Sequence, residues 1–135
     1  MATVIRKKYY EGIGSRKRSH ARVRVYEGKD ASVVNGIPLE DFMKGRKKER
    51  TFLLRPLVAA GMADKLFFSG KVEGGGITGQ IGALRMGLAR AIAKYDEALI
   101  PLLSKESLLS RDTREVERKL FFLRKARKRP QYSKR

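Results

Sequence analysis

The sequence predicts an α+β domain over residues 1–110, with a mixed sheet of four strands and helices mainly on one face. An extended basic C-terminal tail over residues 111–135 is predicted to follow. Three observations lead to this prediction. Residues 20–26 alternate between apolar and polar side chains, which is typical of a strand with one buried face. Apolar residues recur every three or four positions over residues 77–95, as in an amphipathic helix, and no such periodicity continues beyond Ser110.

The first two strands are predicted on either side of a basic loop. The first covers residues 4–10, and the loop covers residues 12–19, where glycines and basic residues predominate. In the second strand, one face carries Ala21, Val23 and Val25, and the other carries Arg22, Arg24 and Tyr26. Such arginines usually form a solvated face, but together with the bases of the loop they indicate contact with RNA.

The middle of the chain predicts one short strand and two helices. The strand covers residues 31–34 and is followed by a turn at Asn35-Gly36. A short helix is predicted at residues 39–43, opened by a proline. A longer helix is predicted at residues 49–60, and it should be kinked or split at Pro56.

The central stretch of the chain predicts a strand, a glycine turn and a long helix. The strand covers residues 65–72, the turn residues 74–76 and the helix residues 77–95. Beside the apolar stripe of the helix runs a row of small residues, Gly79, Ala83, Gly87 and Ala91. Because these side chains are small, we expect the helix axis to lie close to a sheet or to another backbone.

The glycines of this turn allow two functional interpretations. Gly74, Gly76 and Gly79 fit the spacing of a dinucleotide-binding fingerprint, in which free backbone N–H groups bind phosphate. That fingerprint also requires an acidic residue after a second parallel strand, whereas Asp96 and Glu97 follow the helix directly. A P-loop would need Lys followed by Ser or Thr after its last glycine. We therefore favour a tight turn with close packing, a geometry that contact with an RNA backbone would also need.

The overall charge points to a polyanionic partner. The 135 residues include 32 Lys and Arg against 14 Asp and Glu, a formal net charge of +18, and the pI is about 10.6. Such a charge destabilises an isolated compact fold by self-repulsion, and nucleic acid is its common counterpart. No apolar run approaches the roughly 18 residues that span a bilayer, so we expect no membrane partner.

Residues that carry catalysis or hold a metal are scarce. The chain has no Cys and a single His, which argues against a zinc site. No nucleophile motif accompanies His20, and adjacent carboxylates on a helix point to different sides. We therefore expect that the protein is not an enzyme and that it takes no cofactor, no metal and no small-molecule substrate.

The C-terminal segment has a different composition from the rest of the chain. Residues 111–135 hold eleven basic and three acidic residues, and the last twelve residues hold seven bases and no acid. Such a segment cannot bury enough apolar surface to fold alone, so we expect it to stay extended and mobile until it binds. Tyr132 is able to stack on a base. The adjacent Phe121 and Phe122 are expected to dock on a neighbouring molecule or on the domain itself.

Two long motifs carry a resemblance to a known family. Residues 74–91, GGGITGQIGALRMGLARA, and residues 127–135, RKRPQYSKR, resemble the signature and the terminal tail of small-subunit ribosomal protein nine. The resemblance implies a protein in the head of the small ribosomal subunit, with a left-handed βαβ crossover. It implies ribosomal RNA, the peptidyl-site transfer RNA and neighbouring ribosomal proteins of the head as partners. The expected location is the cytoplasm, on a bacterial ribosome ahead of an organellar one.

The basic patches and the resemblance together indicate two sets of RNA-binding residues. Ribosomal RNA is expected at Arg6, Lys7, Arg16, Lys17, Arg18, Arg22, Arg24, Gly75, Gly76, Thr78, Gln80, Arg85, Arg111, Arg114, Arg118, Lys119, Arg124, Lys125 and Arg127. Transfer RNA is expected at Lys128, Arg129, Ser133, Lys134 and Arg135.

The sequence departs from the family pattern at four positions. Leu120 and Phe122 stand where the family typically has Lys and Gly, and Ser107 replaces a usual Gly. Tyr132 stands where the bacterial and organellar form usually has Phe. Composition by itself also allows a competing class, a free-standing nucleic-acid-binding regulator that works outside a ribosome.

Overall fold

The computed structural model describes residues 7–135 and has an α+β architecture. Its elements are β1 (Tyr10–Arg16), β2 (Ser19–Glu27), β3 (Val33–Val34), β4 (Ile37–Pro38), α1 (Leu39–Phe42), α2 (Lys47–Ala59), β5 (Leu66–Glu73), α3 (Ile77–Tyr95), a 3₁₀ turn (Glu97–Leu99) and α4 (Ile100–Lys105). The order of strands in the sheet is β1-β2-β5-β3-β4. Within the described residues, no helix or strand follows α4.

The sheet is mixed, as predicted, but it has five strands instead of four. β1 pairs antiparallel with β2, and β2 pairs antiparallel with β5, whereas β3 runs parallel to β5. The additional strand is β4, which pairs with β3 across a turn at Asn35 and Gly36, whose φ angles are 52° and 80°. Two positive φ angles characterise the tight hairpin turn that Asn-Gly favours. This turn brings Ile37 and Pro38 back alongside β3.

The parallel pair β3–β5 forms a βαβ unit. The connection between its two strands contains β4, α1 and α2. A crossover of this kind is the feature that the family resemblance implies, and its left-handedness stays a prediction. The third strand is shorter than predicted, because only Val33 and Val34 pair with β5, opposite Ser69 and Gly70.

The first strand lies further along the chain than predicted. β1 covers Tyr10–Arg16, so most of the predicted loop over residues 12–19 is strand. Only Lys17 and Arg18 form the turn to β2. Residues 4–6, where the predicted strand begins, lie outside the described residues.

A close approach between β1 and α3 explains why two glycines stand in a strand. A Cβ atom on Gly12 would collide with the carbonyl oxygen of Gly87, and one on Gly14 with the carbonyl oxygen of Ala83. Glycine normally weakens a strand, but here it lets the backbone of the strand approach the backbone of the helix. The small-residue row on α3 is entirely buried, which confirms that the helix lies close to another backbone.

The core lies between α3 and one face of the sheet. The side chains of β2 that the alternation predicted to be buried, Ala21, Val23 and Val25, are 3% exposed or less. The middle of the predicted helical stripe, Ile81, Leu84, Leu88 and Ile92, is buried against them. Ile77, at the start of that stripe, is 45% exposed. α2 packs against α3, so the helices gather on one side of the sheet.

α2 runs as one helix through Pro56 instead of being split there. At its end, the N–H of Gly61 donates to the carbonyl of Val58, and the N–H of Met62 donates to the carbonyl of Leu57, both at 3.0 Å. With Gly61 at a φ of 66°, this pair of bonds is a Schellman motif, which satisfies the last carbonyls of the helix.

α4 ends in the same motif without a glycine. The N–H of Ser107 donates to the carbonyl of Ser104 at 2.9 Å, and the N–H of Leu108 donates to the carbonyl of Leu103 at 3.1 Å. Ser107 has a φ of 54°, in the left-handed region that favours glycine. The position where the sequence departs from the usual Gly of the family is therefore one where the backbone favours Gly.

Residues 111–135 contain no helix or strand, and none of their side chains is fully buried. The segment begins against the sheet, where Arg111 Nε donates to Ser15 Oγ at 2.9 Å. Phe121 and Phe122 are 81% and 88% exposed and contact each other edge to face, with 5.3 Å between ring centroids. The prediction that they dock on the domain itself is therefore wrong, and docking on a neighbouring molecule stays a prediction.

Candidate nucleic-acid interface

The face of the sheet turned away from α3 is uncovered and carries basic side chains. The alternation of the strands places Arg22 and Arg24 of β2 and Lys71 of β5 on this face, and Arg22 lies directly opposite Lys71. Glu11 of β1 lies 3.5 Å from the Nε of Arg22 and 2.9 Å from the Nε of Arg24. The hydrogen bond to Glu11 raises the pKa of Arg24. One carboxylate thus orients two arginines that remain partly exposed.

Aromatic rings lie on the same face as these bases. Tyr26 and Phe67 stack with 5.3 Å between centroids and 18° between planes, and Tyr9 is tilted against Tyr26 at 6.0 Å. The guanidinium of Arg24 lies 4.7 Å from the ring centroid of Tyr9, and the ammonium of Lys7 lies 5.3 Å from that of Phe67. Bases interleaved with aromatic rings form the kind of surface that binds single-stranded nucleic acid.

The turn between β1 and β2 packs against the glycine turn before α3. The hydroxyl of the buried Ser19 donates to the carbonyl oxygen of Gly74 at 3.0 Å. Gly74 and Gly75 have φ angles of 76° and 61°, and a Cβ on Gly75 would collide with Ser19 Oγ. Gly76 has a φ of −96°, and a Cβ there would meet open space. The first two glycines are therefore required by the turn and its packing, and the third is not.

This packing brings together two groups of predicted RNA-binding residues that are distant in the sequence. Lys17 and Arg18 at the tip of the hairpin are exposed, as are Gly75, Gly76 and Thr78 at the start of α3. Gln80 points back to the turn, and its Nε2 donates to the carbonyl of Gly74 at 3.2 Å. No side chain caps the first turn of α3. Free backbone N–H groups beside two bases suit a phosphate.

A third basic cluster surrounds a cavity of about 210 Å³. Arg16 of β1, Arg85 of α3 and Arg114 of the C-terminal segment line it. The guanidinium of Arg85 lies 4.0 Å from the ring centroid of Phe52, in a cation–π contact. Burial lowers the pKa of Arg85, and the nearby charges of Arg55 and Arg16 lower it further.

Asp112 is the carboxylate of this cluster. Arg114 donates to it from Nε at 3.1 Å and from Nη2 at 2.9 Å, and the Nη2 of Arg16 lies 3.5 Å away. These contacts, chiefly those with Arg114, hold the pKa of Asp112 well below its usual range. The carboxylate is therefore ionised at neutral pH and compensates Arg114 and Arg16, where the C-terminal segment leaves the domain.

The remaining predicted RNA-binding residues of the C-terminal segment are exposed. They are Arg118, Lys119, Arg124, Lys125, Lys128, Arg129, Ser133, Lys134 and Arg135. Arg127 is exposed as well and pairs with Glu117 at 2.9 Å. Near the N-terminus, Lys7 pairs with Asp30 at 2.7 Å, and Arg6 lies outside the described residues.

The comparisons with known proteins bear on these surfaces. A protein-family model described as ribosomal protein S9/S16 matches residues 14–135. The small ribosomal subunit protein uS9 of Chlorobium limicola is 44% identical over 129 residues, which cover 96% of this chain and 99% of that protein. The chain belongs to the ribosomal protein S9/S16 family. This confirms the resemblance drawn from residues 74–91 and 127–135, and it confirms that the protein is not an enzyme.

The described part of this S9/S16 protein has no group of His, Cys, Asp and Glu residues arranged to hold a metal ion. His20, the single imidazole, lies exposed on the uncovered sheet face. Across residues 7–135, none of the helices has both the length and the apolar character needed to cross a membrane. The polar chemistry that the described residues do concentrate is cationic.

The sequence-based list of RNA-binding residues missed part of the uncovered sheet face. Lys71 lies beside Arg22, and Tyr9 and Phe67 lie beside the bases, yet none of the three was among the predicted site residues. The signal was the alternation in β5, where Phe67, Ser69, Lys71 and Glu73 point away from the buried Leu66, Phe68, Gly70 and Val72. Applying to β5 the alternation argument used for β2 would have found Lys71.

Proposed function

We propose that this chain is a structural constituent of the small ribosomal subunit, in its head, and that it binds small-subunit ribosomal RNA. The observation that carries the proposal is the 44% identity to a small ribosomal subunit protein across 96% of the chain. The net charge of +18 supports it, because RNA supplies the counter-charge. The relative is bacterial, so we assign the protein to a bacterial-type subunit in the cytoplasm.

In this proposal the domain, residues 1–110, provides the main surface for ribosomal RNA. Arg22 and Arg24 on the uncovered sheet face and Lys17 and Arg18 at the hairpin tip contact phosphates. Contacts to phosphates position a protein on RNA without reading its sequence. Inside the domain, the connection from β3 to β5 forms the left-handed crossover that the resemblance implies.

The C-terminal segment, residues 111–135, acts as an extended arm towards the peptidyl-site transfer RNA. Seven bases in its last twelve residues supply the charge for this contact. Pro130 stiffens the spacer before Lys134 and Arg135, and six extended residues span roughly 20 Å. Along the way, the exposed Phe121 and Phe122 contact a neighbouring protein of the head.

Co-sedimentation distinguishes this proposal from a free-standing regulator of nucleic acids. We expect the protein to stay with the small ribosomal subunits of its source organism through a high-salt wash, because many phosphate contacts act together there. A regulator held only by its charge would be released into the supernatant as salt rises. Recovery of the protein only in the ribosome-free fraction would contradict the proposal.

A truncation tests the role of the arm. Deleting residues 133–135 should leave subunit assembly intact and weaken binding of different transfer RNAs at the peptidyl site alike. The loss of two phosphate contacts should reduce the log–log salt slope of binding by about one to two units. The measurement is filter binding of two transfer RNAs to intact and truncated subunits across a salt series.

A charge-matched control removes two bases elsewhere. Lys47→Gln with Lys48→Gln neutralises two exposed bases at the start of α2, outside both predicted sets, and should leave transfer RNA binding unchanged. Unchanged affinity and slope in the truncated protein would overturn the role of the arm. Loss confined to one transfer RNA would show that the arm reads sequence and would contradict the phosphate contacts proposed here.

A further inference from the structure

The cavity between β1, α3 and the start of the C-terminal segment contains an arginine without a counter-charge. Arg85 has an Nε that is buried and has no hydrogen-bond partner. The single carboxylate nearby, Asp112, is taken up by Arg114 and Arg16. The next arginine along, Arg55, already forms an ion pair with Glu106 at 2.6 Å. A half-buried guanidinium left uncompensated is unfavourable, since buried charges are normally paired.

The cavity is also shaped to receive a charged group. A Cβ on Gly82 would collide with the side chain of Arg16, so the absence of a side chain at Gly82 lets Arg16 lie along α3, one turn before Arg85. The ring of Phe52 fixes the guanidinium of Arg85 from one side. The volume of about 210 Å³ exceeds several times the roughly 30 Å³ of a water molecule. The lining residues carry three guanidinium groups and one carboxylate, which leaves a net positive site.

We propose that this cavity is a phosphate seat, in which Arg85 and Arg16 bind one backbone phosphate of the RNA that the protein contacts. Guanidinium N–H groups donate to phosphate oxygens in a fork geometry, so the free Nε of Arg85 is a suitable donor. A phosphate held there lies where residues 110–114 leave the domain, beside both the sheet and the C-terminal segment. The assignment of the phosphate to RNA rests on the proposed function, whereas the seat itself rests on the cavity.

The seat is tested first on the full-length free protein with inorganic phosphate. In a ¹⁵N-labelled sample, the Nε–H resonance of Arg85 is identified by its absence in Arg85→Lys. Phosphate is added at constant ionic strength, with chloride as the balancing anion. We expect the Arg85 resonance to shift along a saturating curve and that of Arg90, an exposed arginine on the same helix, to shift less and without saturation. Equal shifts at both arginines would overturn the seat.

A parallel titration with acetate separates a phosphate seat from a site for a protein carboxylate. Phosphate should reach half of its maximal shift at a concentration at least tenfold lower than acetate. A response to acetate as strong as that to phosphate would indicate a carboxylate partner from a neighbouring protein and would overturn the proposal.

The RNA occupant is tested with the small-subunit ribosomal RNA of the source organism. Arg85→Gln should lower the log–log salt slope of RNA binding by about 0.7 to 0.9, the loss of one phosphate contact. Lys94→Gln, which removes one exposed charge from the same helix, should leave the slope unchanged. Equal slopes for both variants, with an intact chain that binds the RNA, would overturn the RNA phosphate as occupant. An intact chain that fails to bind the RNA would overturn the proposed function, together with the RNA occupant.

Discussion

Residues 10–109 and residues 111–135 both combine basic and apolar side chains, but only the first part buries its apolar ones. Leu84 and Leu88 of α3 are fully buried, whereas Phe121 and Phe122 are 81% and 88% exposed. The difference lies in the spacing, because apolar residues every three or four positions form one helical stripe and two adjacent aromatic residues do not. Periodicity, more than apolar content, therefore decides which part of this chain packs.

The two parts are also attached to the sheet in different ways. α3 lies on β1 backbone to backbone, at Gly12 and Gly14. The C-terminal segment is attached by the hydrogen bond from Arg111 to Ser15 and by the ion pair of Arg16 with Asp112. Exposed ion pairs contribute little to stability, about 0–1 kcal/mol each. The free energy of unfolding should therefore depend strongly on the glycine contact and weakly on the attachment of the segment.

The largest effect is expected from Gly14→Ala. The added methyl group would collide with the backbone of α3 at Ala83, and backbone atoms cannot move aside as a flexible side chain can. We expect the free energy of unfolding to fall by about 3 kcal/mol or more. Chemical denaturation of the full-length protein measures it. Ile13→Ala, one residue earlier on the uncovered face, should cost less than about 1 kcal/mol, and equal losses in both variants would contradict the close contact.

A smaller loss is expected from Gly75→Ala. Gly75 has a φ of 61°, and its Cβ position is occupied by the side chain of Ser19, so the variant suffers backbone strain and a clash. The expected loss is about 1–3 kcal/mol, again measured by denaturant unfolding. Gly76→Ala is the matched control, because its φ is ordinary and its Cβ position is open. Should the two variants unfold at the same denaturant concentration, the turn would have no packing role.

A gain in stability is expected from Ser107→Gly. Ser107 occupies the left-handed position of the Schellman motif that ends α4, at a φ of 54°, where glycine avoids the strain of a Cβ atom. The thermal midpoint should rise, corresponding to about 0.5–1 kcal/mol. Ser104→Gly, inside the helix, should lower the midpoint instead. A lower midpoint for Ser107→Gly would show that the strain at this position is negligible.

The smallest effect is expected in the C-terminal segment itself. Because none of its side chains is fully buried and it forms no helix or strand, its amides should exchange with solvent at rates close to those of an unfolded chain. Amide exchange of the free protein, read residue by residue, compares residues 124–135 with α3, where protection should approach the global value. Strong protection throughout residues 124–135 would show that the segment folds on the domain.

The elements that were predicted best are those whose own pattern states what they bury. The alternation of β2 predicted Ala21, Val23 and Val25 in the core, and the period of α3 predicted its buried stripe. β1 was misplaced because Gly12 and Gly14 are typical of a loop, and only α3 lying against them makes that stretch a strand. The basic residues of the candidate interface were recognised one by one, but their grouping was not.

The sequence by itself determined the family, the charge of the partner and the α+β class. It did so because long motifs, net charge and periodicity are properties of the chain that do not depend on its folding. The tertiary structure alone decided that the hairpin tip meets the glycine turn at Ser19, and that Arg16, Arg85 and Arg114 surround one cavity. These residues lie tens of positions apart, and they meet only because β1 packs against α3 through glycines that leave no room for a side chain.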